Sequence, residues 1–171
     1  MLRPEVAVPA AALAATAVMM LAELRWSRVN ERLLRARGAV EPSGDVYRAM
    51  AIAYPSLFVT MTIEGALAGP SPEGLIVAGM IVFAAAKLLK LWAIRSLGPR
   101  WSYRVLVLPS APLVTTGPYA RFRHPNYAAV FGEIAGFALM VGARITGIVS
   151  LVVFALLVRK RIAVEERALG L

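Results

Sequence analysis

The dominant pattern in the sequence is a series of long apolar runs separated by short polar connections. Runs of about 20 apolar residues match the roughly 30 Å hydrocarbon core of a bilayer when they form α-helices. The run after Tyr127 is too long for one such helix, and a Gly-Ala-Arg-Ile-Thr-Gly sequence at 142–147 interrupts it. The pattern predicts an all-α integral membrane protein, one membrane domain over residues 1–171, with about five transmembrane helices at 6–24, 46–68, 75–94, 126–142 and 145–158. In this prediction the last two helices form a tight helical hairpin.

Three other segments carry local signals. Residues 25–37 are basic but keep helical spacing, which predicts an extension of the first helix or a surface helix at the anionic leaflet, ending at Gly38. Pro55 lies inside the second span and predicts a kink or a local break there. The runs 105–108 and 113–116, separated by a turn signal at 109–112, predict a small β-hairpin.

The charge balance leaves the predicted helices unchanged, but it predicts which side of the membrane each connection faces. The net charge is +9 and the pI about 10.8, which could indicate nucleic-acid binding, but 59% hydrophobic residues and a mean hydropathy of +0.68 argue against it. Of the 19 Lys and Arg residues, only Arg3 and Arg144 fall on one side of the predicted membrane, while Lys87 and Lys90 fall within a span. The positive-inside rule therefore predicts an external N-terminus and a cytoplasmic C-terminus, with segments 95–127 and 159–171 sharing the cytoplasmic face.

Ionisable residues inside the spans are costly in lipid and need a partner, water or a function. Glu133 lies one and a half to two turns into the fourth helix, and Glu64 lies near the far end of the second. Lys87 and Lys90 are three residues apart, so they either snorkel to the interface or line a cavity for an anionic group. Glu23 ends the first span and is expected in the headgroup region.

The least membrane-like stretch is residues 117–127, which contains the only histidine, His124, between Arg123 and Pro125, with Tyr119 and Tyr127 on either side. Such a polar group at the mouth of a membrane helix indicates a site. It could equally be an interfacial belt that anchors helix ends, with proline opening the next helix.

A second polar block follows the last span. Arg161 and Glu165 are four residues apart and share a helix face, and Glu166 lies on the neighbouring face. A helical hairpin returns the chain to the level where it entered, so this block is expected to meet residues 117–127. The alternative is a solvated helix end with a weak surface ion pair.

The two blocks together carry a resemblance. Gly117-x-Tyr119-x-x-x-Arg123-His124-Pro125-x-Tyr127, then a helical hairpin, then Arg161-x-x-x-Glu165-Glu166-x-x-Leu169, resembles the isoprenylcysteine carboxyl methyltransferase family and its phospholipid methyltransferase relatives. The resemblance covers roughly residues 75–171. It implies a membrane methyltransferase that binds S-adenosylmethionine at the cytoplasmic face without a Rossmann domain, and the chain has no G-x-G-x-x-G motif after a strand.

The resemblance also implies roles for particular residues. The cofactor's adenosine and amino-acid ends are expected to be held by Tyr119, Arg123, His124, Pro125, Tyr127, Glu165 and Glu166. A carboxylate suits the cofactor's ammonium group, and Arg or His suits its carboxylate. Arg161 is expected to orient the acceptor or the cofactor carboxylate. A phenol or amine acceptor can need a general base, for which His124 and Glu133 are the candidates.

The sequence leaves several classes of methyl acceptor possible. The resemblance suggests an isoprenylcysteine carboxylate or another lipophilic molecule with a phenol or amine head group, and the lipid bilayer as the other partner. No nucleic acid is expected, and with no cysteine and one histidine no metal site is expected. Two alternatives stand: an NADPH-dependent double-bond reductase of the sterol-reductase type, and a non-enzymatic membrane scaffold.

Overall fold

Five α-helices make up most of the structure, a computed structural model that describes residues 4–109 and 111–170. They are α1 (Pro4–Ala36), α2 (Tyr47–Ala68), α3 (Glu73–Leu97), α4 (Pro125–Val141) and α5 (Ile145–Leu169). Short 3₁₀ turns lie at Gly98–Arg100 and Gly117–Ala120. The all-helical prediction is confirmed, since these described residues contain no β-strand.

Three of these helices are long and apolar enough to cross a membrane, over Val6–Ala36, Tyr47–Ala68 and Glu73–Arg100. Their outward faces carry large apolar side chains that are mostly exposed, such as Ile52, Leu67 and Leu88. A surface of this kind needs lipid rather than water around it. The protein is therefore a multi-pass membrane protein, while the predicted count of five spans stays a prediction because α4 is shorter.

The basic segment after the first span continues it. α1 is one helix of 33 residues, or about 50 Å, so it extends beyond the hydrocarbon core as the first of the two predicted alternatives. The helix ends before Gly38, whose φ of 83° is the left-handed conformation expected of a helix stop. α2 runs through Pro55 as one helix, so of the two predicted alternatives the local break does not occur, and the kink stays a prediction.

The predicted β-hairpin at 105–108 and 113–116 is wrong. Val107 instead forms an isolated antiparallel bridge with Val40, just beyond the end of α1. Asn30 donates to the carbonyl of Trp101 at 2.8 Å, and Ser27 accepts from the backbone N–H of Tyr103 at 2.8 Å. Side chains of α1 thus satisfy backbone groups at residues 101–103, just before the predicted hairpin, and a sequence pattern does not reveal such contacts. Ser110, in the predicted turn, lies outside the described residues.

The core lies where α2, α4 and α5 meet. Phe58 and Phe137 pack edge to face with ring centroids 4.9 Å apart, and Phe154 completes the aromatic cluster from α5. α4 and α5 pack against each other and are joined by residues 142–144. Gly142 makes this short connection possible because its φ of 74° lets the chain leave α4 in the left-handed conformation.

Candidate active site

The two polar blocks meet where α4 begins and α5 ends. His124 is the residue before α4, and Pro125 opens the helix, where its missing N–H costs nothing. The imidazole Nε2 lies 3.3 Å from Glu166 Oε1, and Nδ1 lies 3.9 Å from Glu165 Oε2. Tyr127, one turn into α4, donates its hydroxyl to Glu165 Oε2 at 2.8 Å and stacks on the His124 ring with centroids 5.6 Å apart.

Both glutamates keep part of their surface open. Each side chain is 30% exposed, and the contacts described above use one oxygen of each carboxylate, Oε2 of Glu165 and Oε1 of Glu166. Arg123 lies at the rim, 74% exposed, with its guanidinium 3.7 Å from Glu166. The site therefore offers two partly exposed carboxylates, an imidazole and an exposed cationic side chain within one small region.

Tyr119 belongs to the same region through the 3₁₀ turn at Gly117–Ala120. Gly117 has a φ of 60° and lies against Ser96 of α3 so closely that a Cβ would overlap the serine side chain, so the turn is fixed on α3. Burial and the negative charge of Glu165 raise the pKa of the Tyr119 phenol well above its ordinary value. Tyr119 is therefore a neutral hydroxyl beside the carboxylates.

Arg161 lies behind this group rather than at its surface. Its side chain is 7% exposed, and Nε donates to the hydroxyl of Tyr127 at 2.9 Å. One terminal nitrogen donates to Asp45 Oδ1 at 3.2 Å, and the other donates to the backbone carbonyl of Tyr103. All three nitrogens of the Arg161 guanidinium thus donate to other groups of the protein.

Glu133 is not brought to this group. It is fully buried in a separate cluster, defined here as the buried ion cluster, made of Glu23, Lys87, Lys90 and Glu133. The ammonium groups of Lys87 and Lys90 lie 3.2 Å and 3.3 Å from Glu133 Oε1, although neither is aligned as a hydrogen bond to it. The other oxygen, Oε2, accepts from the Tyr54 hydroxyl and, at 3.5 Å, from Lys90.

The cluster explains how these charges are accommodated between helices. Lys90 is 2% exposed and lies 2.6 Å from Glu23, so the interpretation that Lys90 snorkels is wrong, whereas the expected headgroup-level position of Glu23 stays a prediction. Two positive and two negative side chains balance, which is the condition under which buried charges are tolerated. The base role suggested for Glu133 would require one of these ion pairs to open.

Two residues in the site's surroundings were not singled out from the sequence. They are Asp45 and Tyr103, and both hold Arg161. A signal did exist for Asp45, since it is the only aspartate in the chain and stands just before a helix, where its carboxylate accepts the N–H of Tyr47 at 3.1 Å.

The structure defines a helical, multi-pass membrane protein with a His/Tyr/Glu/Glu group at its helix ends. Its family is identified by comparison with known proteins. Residues 77–170 match the sequence model of the isoprenylcysteine carboxyl methyltransferase (ICMT) family. The chain belongs to this family, as its motifs predict, and membership indicates a membrane methyltransferase.

Two of the proteins that this chain resembles in sequence are described as uncharacterized. YpbQ of Bacillus subtilis (strain 168) is 31% identical over 152 residues, which covers 89% of this chain and 90% of that protein. A protein of Haemophilus influenzae is 25% identical over 142 residues, covering 82% of this chain and 83% of the relative. No solved structure gives a significant match.

Proposed function

We propose that this protein is an integral membrane methyltransferase that uses S-adenosylmethionine to methylate the head group of a lipophilic acceptor. The observation that carries the proposal is the meeting of His124 with Glu166 and of Tyr127 with Glu165 at the ends of α4 and α5. Family membership supports the reaction class, and the site's chemistry supports the cofactor.

The donor set suits this cofactor. Glu165 and Glu166 each remain 30% exposed beside their protein partners, and a carboxylate pair suits an ammonium group. Arg123 is exposed and long enough to meet a carboxylate, while Tyr119, Pro125 and Tyr127 provide the walls. When bound, the cofactor would supply an activated methyl group on a sulfonium.

The protein's own task is then positioning and exclusion of water. A carboxylate acceptor needs no proton removed. For a phenol or amine acceptor, His124 is the proposed general base of this group, since its ring is 18% exposed and hydrogen-bonded to Glu166. The acceptor's apolar tail would lie between helices in the bilayer, with only its head at the cytoplasmic face.

Calorimetric binding of S-adenosylhomocysteine to the detergent-purified protein tests the cofactor. We expect micromolar binding that is lost in Glu166→Ala and kept in Glu73→Ala, a matched change at an exposed glutamate at the start of α3. Binding of NADPH instead would assign the protein to the reductase class. Binding of neither compound would favour a membrane scaffold.

A second experiment addresses the acceptor. Membranes containing the protein are incubated with methyl-labelled S-adenosylmethionine, and lipid and protein fractions are separated. We expect the label in one extractable lipid and expect His124→Ala to abolish it. Label found only at protein C-termini would overturn the lipid acceptor and point to prenylated proteins.

A further inference from the structure

The starting observation is that the guanidinium of Arg161 is held from three directions. Nε donates to Tyr127 Oη at 2.9 Å, and the two terminal nitrogens donate to Asp45 Oδ1 and to the carbonyl of Tyr103. A guanidinium has its donors in a rigid planar fork, so three acceptors at its three nitrogens fix both its position and its plane. With a side chain only 7% exposed, it presents little surface to a ligand.

Asp45 is held just as firmly. Its side chain is 4% exposed, and besides Arg161 it accepts the backbone N–H of Tyr47 at 3.1 Å and that of Val105 at 3.1 Å. Its partners belong to three separate segments: the start of α2, the connection after α3, and α5. A buried carboxylate is stable only when it is satisfied in this way.

The hydrogen bonds continue from Arg161 into the candidate site. Because Tyr127 Oη accepts from Arg161 Nε, its own proton points elsewhere, and it is donated to Glu165 Oε2 at 2.8 Å. The direction of this hydroxyl, and with it the position of the Glu165 carboxylate, is therefore set from the Arg161 side. Such chains couple residues that do not touch.

We infer that Asp45 is a positioning residue of the candidate active site, which acts through Arg161 and Tyr127 to fix the Glu165 carboxylate. The inference rests on the proposed function of that site. It assigns Arg161 to the support of the site, in place of direct contact with the cofactor or acceptor. It also extends the site to the α1–α2 connection, which lies outside the residues matched to the family.

The chain offers a matched control in the same connection. Glu41 also forms ion pairs, with Arg35 and with Arg104 at 2.7 Å, but among the described residues it has no hydrogen bond or ion pair with Arg161. Asp45→Asn removes the charge while preserving shape, and Glu41→Gln does the same four residues away. Both variants keep a side chain that can hydrogen-bond, so both are expected to fold.

The first test is affinity for S-adenosylhomocysteine. We expect Asp45→Asn to weaken binding by about ten- to hundredfold, the usual effect of losing a hydrogen bond to a charged group, and Glu41→Gln to leave it unchanged. Arg161→Lys should weaken it similarly, because one ammonium cannot reach three divergent acceptors. In a Tyr127→Phe background, Asp45→Asn should have little further effect. Independent, multiplying losses there would overturn the inference.

The second test needs no cofactor, so it separates this inference from the proposed function. Asp45 and Glu165 share no hydrogen bond or ion pair among the described residues, so their effects on melting temperature should add unless they are coupled through Arg161 and Tyr127. We expect the Asp45→Asn and Glu165→Gln effects to be non-additive, and additive once Tyr127 is replaced by Phe. Additive effects in the wild-type background would refute the positioning role. If the wild-type protein does not bind S-adenosylhomocysteine, only the proposed cofactor is refuted.

Discussion

The ammonium group of Lys90 and the carboxylate of Glu133 lie 3.3 Å apart on neighbouring helices, and both side chains are almost completely buried. With Lys87 and Glu23 they form the buried ion cluster, whose charges cancel. Removing one member leaves an unpaired charge in a low-dielectric interior, whereas removing an oppositely charged pair keeps the balance.

Glu133→Leu should therefore destabilise the protein by about 3–5 kcal/mol, and adding Lys90→Met should restore most of that loss. Thermal unfolding in detergent measures both effects, with Glu73→Leu at an exposed position as the control. A Glu133→Leu protein that melts like the wild type would contradict the structural role. Loss of methyl transfer without loss of stability would instead revive the role of a base.

A seam of small residues, formed by Gly79 of α3 and Gly136 of α4, sets the distance between these two helices. A Cβ placed on Gly79 would lie 2.6 Å from the backbone carbonyl oxygen of Gly136 and 2.6 Å from the backbone nitrogen of Met140. Backbone atoms cannot move aside as a flexible side chain can, and close approach of this kind is how membrane helices gain packing contacts.

We expect Gly79→Ala to cost about 1–3 kcal/mol through forced separation of the helices. Gly74→Ala, earlier in the same helix, has nothing within 4 Å of the added Cβ and should stabilise the protein by up to about 1 kcal/mol. Melting temperatures of the two variants measure the difference. Equal effects of the two substitutions would show that the seam does not set the helix separation.

The helices could be predicted from the sequence because a helix that crosses lipid needs an apolar run long enough to span the hydrocarbon core. The predicted span 46–68 and the observed helix Tyr47–Ala68 differ by one residue at one end. The meeting of His124 with Glu166 was also predictable, because two polar blocks flanking a helical hairpin return to one level. The family assignment followed from the same blocks and is confirmed.

Contacts between distant segments were not predictable in this way. Asp45 and Arg161 are 116 positions apart, and nothing near either residue specifies the other. Snorkelling was one of two interpretations of Lys90, because its own helix shows only its position near an end; its partners come from α1 and α4. The β-hairpin was predicted from local propensity, but the backbone of Val105 and Val107 bonds instead to Asp45 and Val40 of the α1–α2 connection.

The raised pKa of Tyr119 gives a prediction for alkaline pH. The folded protein binds the phenol proton more tightly than the unfolded chain, so this group's contribution to stability is fully present below about pH 10 and is lost as the pH rises further. The wild type should therefore lose more melting temperature than Tyr119→Phe between about pH 9 and 11. A wild-type-minus-variant absorbance spectrum that shows phenolate forming at the ordinary pKa would contradict this.

Glu64 stabilises the opposite end of α5. Its carboxylate accepts the backbone N–H groups of Ile145 at 2.9 Å and Thr146 at 2.7 Å, as well as the Thr146 hydroxyl. These N–H groups have no partner within their own helix, and a negative charge there is favoured by the helix dipole. Glu64 thus caps a helix from a neighbouring helix.

Glu64→Ala should cost about 1 kcal/mol of stability, as the loss of a helix cap does, and Glu64→Gln should cost less because it keeps an acceptor. Thermal unfolding measures this, with Glu73→Ala as the control. Glu64 faces the start of α5, about 30 Å along that helix from Glu165, so S-adenosylhomocysteine affinity should not change. A weaker affinity in Glu64→Ala would mean that the far end of α5 is coupled to the candidate site.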